Sequence, residues 1–226
     1  MSTVHCSLTT AHYSIMIIKI CGITSPETAV ACFEAGADMI GLVHCKQSPR
    51  HVFETQIHDI LDAVKPFRRR GCKTVLVVVG HLPSVHLRFD YIQPYGDVWL
   101  DIPPSRLIRV VRDMESSLPL DNAPLYALEI SSGPQPGGNG IAWDWSLAQP
   151  FCKRYPRTLL AGGISPDNVA EAIRLANPYG IDVSSGVESS PGIKDIDKVR
   201  RLIENIRLPI IHPQGIHCEV REEPRR

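Results

Sequence analysis

The chain has 226 residues, 43% of them apolar and 21% charged, with 24 basic side chains against 24 acidic ones. A chain of this length buries a core without staples, and the even charge excludes both a strongly basic nucleic-acid binder and an acidic disordered protein. Seven cysteines at irregular spacings, with no Cys-x-x-Cys pair, indicate neither a zinc ribbon nor a disulfide framework, and they are read as free thiols of a reducing cytoplasm. The first fifteen residues lack the basic start and apolar run of a signal peptide, and no apolar run approaches the roughly 20 residues that span a bilayer.

Residues 1–14 are polar and aperiodic and read as an N-terminal extension. The proline-containing, charged stretch 208–226 reads as a C-terminal tail, which leaves 15–207 as the folded core. Within it, Met16–Cys21 is a strand candidate. Ser25-Pro26 supplies an N-cap and an N1 proline for a first helix with Ala29, Val30 and Phe33 at helical spacing, and Gly36 stands where a C′ glycine belongs. Met39–Val43 is a second strand and Phe53–Val64 a second helix with Ile57, Ile60, Leu61 and Val64 on one face. Thr74–Val79 is a third strand, apolar on both faces as in a parallel sheet covered on both sides.

Asp97–Ile102 and Leu125–Ile130 read as further strands. The segment 103–124 is short for a helix, a strand and another helix. Either Leu107–Val111 is a strand with a shortened or missing neighbouring helix, the favoured reading, or Pro103–Met114 is a helix and a strand is absent. Thr158–Ala161 is a strand ending at Gly162-Gly163. Ser165-Pro166 repeats the cap-plus-proline start, ahead of an apolar stripe of Val169, Ala172, Ile173 and Ala176. Ile181–Ser184 is the last strand, and a final helix carries Ile196, Val199, Leu202, Ile203 and Ile206. Repeated βα units fit either a doubly wound sheet or a (β/α)8 barrel, and periodicity alone does not choose.

In such folds ligands bind at the carboxyl ends of the strands, and residues of chemical interest collect there. Cys21-Gly22 ends the first strand, Gly162-Gly163 a later one, and Asp182-Val-Ser-Ser-Gly186 the last. The two glycine loops would let backbone N–H groups approach an anion, a phosphate cradle, although tight βα turns alone use the same glycines. A lone cysteine is most often a small buried hydrophobe, and its strand-end position raises the functional share for Cys21. No Gly-x-Ser-x-Gly elbow, His-Glu-x-x-His pair or ligand-spaced histidine cluster occurs. His212, His217 and Cys218 in the tail are read as solvated, so no metal is expected.

Lys19-Ile-Cys-Gly-Ile-Thr24, Gly36–Gly41 followed by Ser48-Pro-Arg50, Gly137-Gly-Asn-Gly140 leading to Trp143-Asp-Trp145, Leu160–Gly163, Pro166–Val169, and Asp182–Glu188 with Pro191–Asp195 stand in this order along the chain. In that order and spacing they resemble the phosphoribosylanthranilate isomerase family over about residues 16–207. The resemblance implies a (β/α)8 TIM barrel without cofactor or metal. It implies an aldose–ketose isomerase that carries out an Amadori rearrangement of a phosphorylated sugar adduct in tryptophan biosynthesis. It further implies a cytoplasmic monomer or homodimer with no nucleic-acid or membrane partner. By the same resemblance Cys21 is the general base and Arg50 holds the anthranilate carboxylate. Asp182 lines the substrate site, and Gly162, Gly163, Ser185 and Gly186 hold the phosphate.

The chain departs from the family in its middle. The family acid, an aspartate at the end of the sixth strand, falls on Ile130 when counted back from Gly137 without a gap and on Glu129 once one residue is inserted. The family's fourth-strand Gln-Leu-His-Gly is set against Trp99-Leu-Asp-Ile102, which puts Asp101 at the histidine. Asp144, in the Trp-Asp-Trp stretch, is read as structural. With the base and phosphate loops kept and the acid and aryl pocket altered, three readings compete: the isomerase itself, an enzyme on another phosphorylated sugar adduct in specialised metabolism, and a non-catalytic barrel that binds a phosphate ligand.

Overall fold

The computed structural model describes residues 16–95, 102–113, 123–130 and 142–207. The expected extensions 1–14 and 208–226 lie outside them, as do the tail residues His212, His217 and Cys218. Eight parallel strands form one sheet: β1 (Ile17–Cys21), β2 (Met39–His44), β3 (Lys73–Val79), β4 (Tyr91–Tyr95), β5 (Ile108–Val111), β6 (Leu125–Leu128), β7 (Thr158–Leu160) and β8 (Gly180–Val183). Their order, β4-β3-β2-β1-β8-β7-β6-β5, brings the two edges together, where one parallel bridge, Ile92 to Leu107, joins them. The sheet is a nearly closed (β/α)8 barrel.

Helices α1 (Pro26–Glu34), α2 (Glu54–Ala63), α3 (Lys65–Arg69), α4 (Gln149–Arg154), α5 (Val169–Ala176) and α6 (Ile196–Arg207) are the helices among the described residues. No described helix is long and apolar enough to cross a membrane. A two-stranded antiparallel ribbon, β9 (Glu188–Ser190) with β10 (Ile193–Lys194), follows β8.

The local signals translate directly into these elements. Ser25 Oγ accepts from the Thr28 N–H and caps α1, Pro26 sits at its start, and Gly36 takes φ +105 just past its end. The α1 stripe turns slightly from the expected one: Ala29, Cys32 and Phe33 are buried, and Val30 is only half-buried. The stripes on α5 and α6 are buried as the periodicity predicts. The α5 start differs from expectation. Asn168 donates to the Gly163 carbonyl and accepts from the Ser165 N–H, which holds 166–168 in a turn and delays the helix to Val169.

One further correction concerns the middle of the barrel. The fourth strand is Tyr91–Tyr95, not 97–102; of the latter segment only Ile102 is described, and it is not in a strand. A proline inside 91–95 argues against a sheet strand, yet β4 lies at the sheet's open seam, where Pro94 is tolerated. The favoured reading of 107–111 holds: β5 is a strand, and among the described residues the element between β4 and β5 is the 3₁₀ turn Pro104–Arg106.

Strand alternation sorts the apolar residues into two layers. Ile18, Ile20, Leu42, Leu76, Ile181 and Val183 face the helices, whereas Met39, Val75, Val77, Ile108, Leu125 and Ala127 fill the barrel interior. Replacing Ser25 by Ala should lower stability by about 1 kcal/mol through loss of the α1 cap. Urea denaturation should show this as a lower midpoint at an unchanged slope.

Candidate active site

The interior face of β1 carries Lys19 and Cys21, two residues apart. Lys19 is fully buried inside the barrel. Its Nζ donates to Asp182 Oδ2 on the neighbouring β8 at 2.6 Å and to Gln93 Oε1 on β4 at 2.9 Å. Burial works against the ammonium charge, but the Asp182 carboxylate and the Cys21 sulfur outweigh it and hold Lys19 above its ordinary value. Opposite β1, on β2, stands Gly41. A side chain there would meet Cys21 Sγ and the Lys19 Cε, so only glycine leaves room for both.

Cys21 ends β1 at the carboxyl mouth of the barrel. Burial pushes its thiol above the ordinary 9.0, assisted by the Asp182 charge, while Lys19 and Lys194 pull the other way. Asp182 Oδ1 is buried and has no hydrogen-bond partner among the described residues, which leaves an acceptor open inside the site.

Glu129 directly follows β6 and extends its ladder, its N–H donating to the Val111 carbonyl. It is 7% exposed, and its Oε2 accepts from the Tyr95 hydroxyl at 2.8 Å. Burial first, and then the Glu129 charge, push the Tyr95 hydroxyl well above 10.0, with smaller contributions from Cys21 and Asp182. These groups therefore share one interior.

Arg50 crosses the Gly22 backbone that follows Cys21, close enough that a Cβ on Gly22 would lie 2.5 Å from Arg50 Cδ. Its Nε and Nη2 form a bidentate pair with Glu188 at 2.8 and 2.7 Å, and Glu188 also accepts from Lys194 Nζ at 2.6 Å. One edge of the guanidinium is thus engaged, and Nη1 makes no hydrogen bond with a described residue. The adjoining loops carry Gly162 and Gly163, both at positive φ (93° and 69°), and the short turn Ser185–Val187. A side chain on Gly186 would run into the Ile164 carbonyl, so the two loops meet backbone to backbone. Among the described residues no group of three or more His, Cys, Asp or Glu side chains is arranged to hold a metal.

The family model for N-(5′-phosphoribosyl)anthranilate (PRA) isomerase matches residues 18–205. The chain belongs to this family. A relative from Trichlorobacter lovleyi, named N-(5′-phosphoribosyl)anthranilate isomerase, is 40% identical over 84% of this chain and 97% of its own. One of the same name from Geobacter sulfurreducens is 37% identical over 84% and 98%. The crystal structure of the phosphoribosyl anthranilate isomerase from Thermotoga maritima covers 85% of this chain and 98% of its own, with 32% identity and a TM-score of 0.73. A structure described as this isomerase in complex with reduced 1-(o-carboxyphenylamino)-1-deoxyribulose 5-phosphate covers 85% and 98%, with 29% identity and a TM-score of 0.68.

Within this isomerase barrel, Cys21, Glu129 and Asp182 face the interior, Arg50 packs beside Cys21, and Gly162, Gly163, Ser185 and Gly186 form the adjoining loops. Asp101 lies outside the described residues. Topology corrects the fourth-strand comparison: the fourth strand is β4, which carries Gln93 and Tyr95, and not 99–102. Sequence reasoning therefore missed Gln93 and Tyr95. The Tyr-Ile run followed by Gln-x-x-Gly was the available signal. It also left Glu188 and Lys194 without a role, although both stood in matched motifs. Asp144 is structural, as read: its Oδ1 accepts from the Ser146 N–H and hydroxyl, while Trp143 and Trp145 donate to the Ala161 and Gly162 carbonyls and pin the loop after β7.

Glu188 loses solvent on folding, which opposes its charge, but Arg50 and Lys194 prevail and hold its carboxyl below the ordinary 4.5. A carboxyl lowered in the fold contributes stability that is present above about pH 4.5 and lost as the pH falls through the lower folded value. Wild-type protein should therefore lose stability across that acid window more steeply than Glu188→Gln. Urea melts at stepped pH values check this, and parallel curves would remove the pair from acid stability.

Proposed function

We propose that this chain catalyses the Amadori rearrangement of N-(5′-phosphoribosyl)anthranilate to 1-(2-carboxyphenylamino)-1-deoxyribulose 5-phosphate, a step of tryptophan biosynthesis. The observation that carries this reading is that a thiol and a carboxyl, Cys21 and Glu129, face one barrel interior around the buried Lys19–Asp182 pair. The reaction needs one acid and one base, and this interior offers both.

In the first step the Glu129 carboxyl gives its proton to the ribose ring oxygen. The C1′–O bond breaks, the nitrogen lone pair forms the C1′=N bond, and the open chain carries an iminium charge. In the second step Cys21, whose own proton first leaves to solvent under the pull of the iminium charge, removes the C2′ proton as the thiolate. The released electron pair forms C1′=C2′, and the C1′=N electrons return to nitrogen, giving the enolamine. Protonation at C1′ and loss of the 2′-hydroxyl proton then yield the ketone. The unpartnered Asp182 Oδ1 accepts from a substrate hydroxyl. The unengaged edge of Arg50 takes the anthranilate carboxylate in the fork geometry that guanidinium favours. Backbone N–H groups around Gly162, Gly163, Ser185 and Gly186 hold the phosphate, with no Cβ in the way at the three glycines.

No cofactor or metal enters these steps. A phosphorylated substrate is membrane-impermeant, which fits an enzyme of the cytoplasm. We take it to work as a monomer or a homodimer; a Thermotoga maritima relative is described as dimeric and as yielding monomers. Neither a different sugar adduct nor a non-catalytic ligand barrel is favoured, because the similar proteins across nearly their whole length are named for this one activity.

Expression in a tryptophan-requiring strain that lacks the isomerase should restore growth, and Cys21→Ala should not. With purified protein and freshly generated substrate, Glu129→Gln should cut kcat at least about a hundredfold, the loss expected for a general acid. Activity retained by either variant takes that residue out of the mechanism.

The raised Cys21 thiol generates a separate expectation. A thiol held above 9.0 is mostly protonated at neutral pH, so its thiolate fraction keeps rising into the alkaline range. Alkylation of the Cys21 peptide by iodoacetamide, followed by mass spectrometry, should accelerate with pH and show a midpoint above 9.0. A midpoint near neutrality would mean that Lys19 and Lys194 dominate over burial.

A further inference from the structure

The interior hydrogen bonds join into one chain across the barrel. Lys19 Nζ, pinned by Asp182, donates to Gln93 Oε1. An ammonium only donates, so the Gln93 oxygen must face it and the Gln93 amide nitrogen must point away. That nitrogen meets the Tyr95 hydroxyl oxygen at 3.5 Å, and the Tyr95 proton goes to Glu129 Oε2 at 2.8 Å. The lysine charge thus sets the polarity of every later link. The Tyr95 hydroxyl, raised by burial and by the carboxylate beside it, stays protonated and remains a donor throughout the working pH range. Glu129 Oε1 makes no hydrogen bond with a described residue.

We propose that Tyr95 is a positioning residue for the acid: its hydroxyl occupies Glu129 Oε2, so that the transferable proton sits on Oε1 and faces the substrate. This rests on the reading of Glu129 as the acid and adds a residue and a direction to it. A carboxylic acid has two oxygens and rotates about its last bond. With Oε2 committed as an acceptor, a proton on that oxygen would confront the Tyr95 proton, and the productive orientation is the one that survives. Glutamate, longer and freer than aspartate, gains most from such a clamp. The tyrosine itself is partly buried and packs against the interior layer that includes Val75 and Val77 of β3, so its hydroxyl can be removed without emptying the layer.

The test is a double-mutant cycle of Tyr95→Phe with Glu129→Asp, reading kcat and KM separately, together with the affinity of each variant for reduced 1-(o-carboxyphenylamino)-1-deoxyribulose 5-phosphate. Tyr95→Phe should lower kcat roughly 10- to 50-fold, with KM and analogue affinity changed less than about threefold. Glu129→Asp, one methylene shorter, cannot keep the Tyr95 contact, so adding Tyr95→Phe to it should cost less than about threefold more. A Tyr95→Phe enzyme with wild-type kcat overturns the proposal. So does an equal loss in both backgrounds, which makes Tyr95 independent of Glu129, and so does a matching loss of analogue affinity, which makes it a packing residue. Glu129→Gln is the separate control: if it turns over at the wild-type rate, the acid assignment itself fails and the clamp with it. If it is inactive while Tyr95→Phe is unaffected, only the clamp fails.

Discussion

Everything in this barrel is arranged around one buried ion pair. Lys19 has no exposure and Asp182 almost none, so both left water for the interior of a protein. Such a transfer costs several kcal/mol per ion before the attraction returns any of it, and removing either partner alone from such a pair costs about 3–5 kcal/mol. The pair is tolerable here because the ammonium has two acceptors at hydrogen-bond distance and because β1 and β8 are paired in register, with Lys19 opposite Asp182. The glycine at 41 belongs to the same constraint: the neighbouring strand gives up a side chain so that the lysine stem and the cysteine sulfur fit.

The charges radiating from that pair decide the character of the groups at the barrel mouth. Cys21 lies between two opposing fields. Lys19 and Lys194 favour its thiolate, while burial and Asp182 favour the thiol, and the thiol prevails. Arg50 is similarly shared. Its bidentate bond to Glu188 fixes the guanidinium plane, and Lys194 shares the Oε1 oxygen of that carboxylate with Arg50 Nε. A pre-oriented guanidinium loses less freedom when it binds a second carboxylate than a solvated one does. The ribbon that carries Glu188 and Lys194 therefore acts as a brace for the mouth of the barrel rather than as an ornament on its rim.

The parts of this architecture legible in the sequence were those encoded locally. Ser25-Pro26 and Gly36 bracket α1, the stripes of α5 and α6 are periodic, and Cys21, Asp182 and the glycine loops lie in contiguous motifs. The parts that escaped depend on neighbours distant in the chain. Pro94 disguises β4 because its fitness for a strand follows from lying at the seam, which only the closed topology reveals. With β4 misplaced, Gln93 and Tyr95 had no reason to face Lys19 and Glu129, 74 and 34 residues away. Glu188 and Lys194 were visible as residues but not as a pair with Arg50, since that contact spans 138 positions. The three-residue delay of α5 is likewise a tertiary effect, set by an asparagine bonded to two backbone groups of the loop before it.

The electrostatics also impose an order on the proton transfers. In the free enzyme the sulfur is held protonated, so base strength is not standing ready in the cavity. In the proposed mechanism ring opening changes this, because the iminium ion it creates is a new positive charge next to the C2′ hydrogen that Cys21 is to remove. That charge favours the thiolate by the same Coulombic effect that Lys19 exerts, and it weakens the C–H bond to be broken. A site of this kind gains little from a cysteine that is ionised at rest, which would also be open to oxidation and alkylation. It gains more from an acid whose proton is correctly aimed, since the second step waits on the first. The buried lysine serves both ends at once: through Asp182 it acts on Cys21, the proposed base, and through Gln93 it fixes the direction of the hydrogen bonds that reach Glu129, the proposed acid.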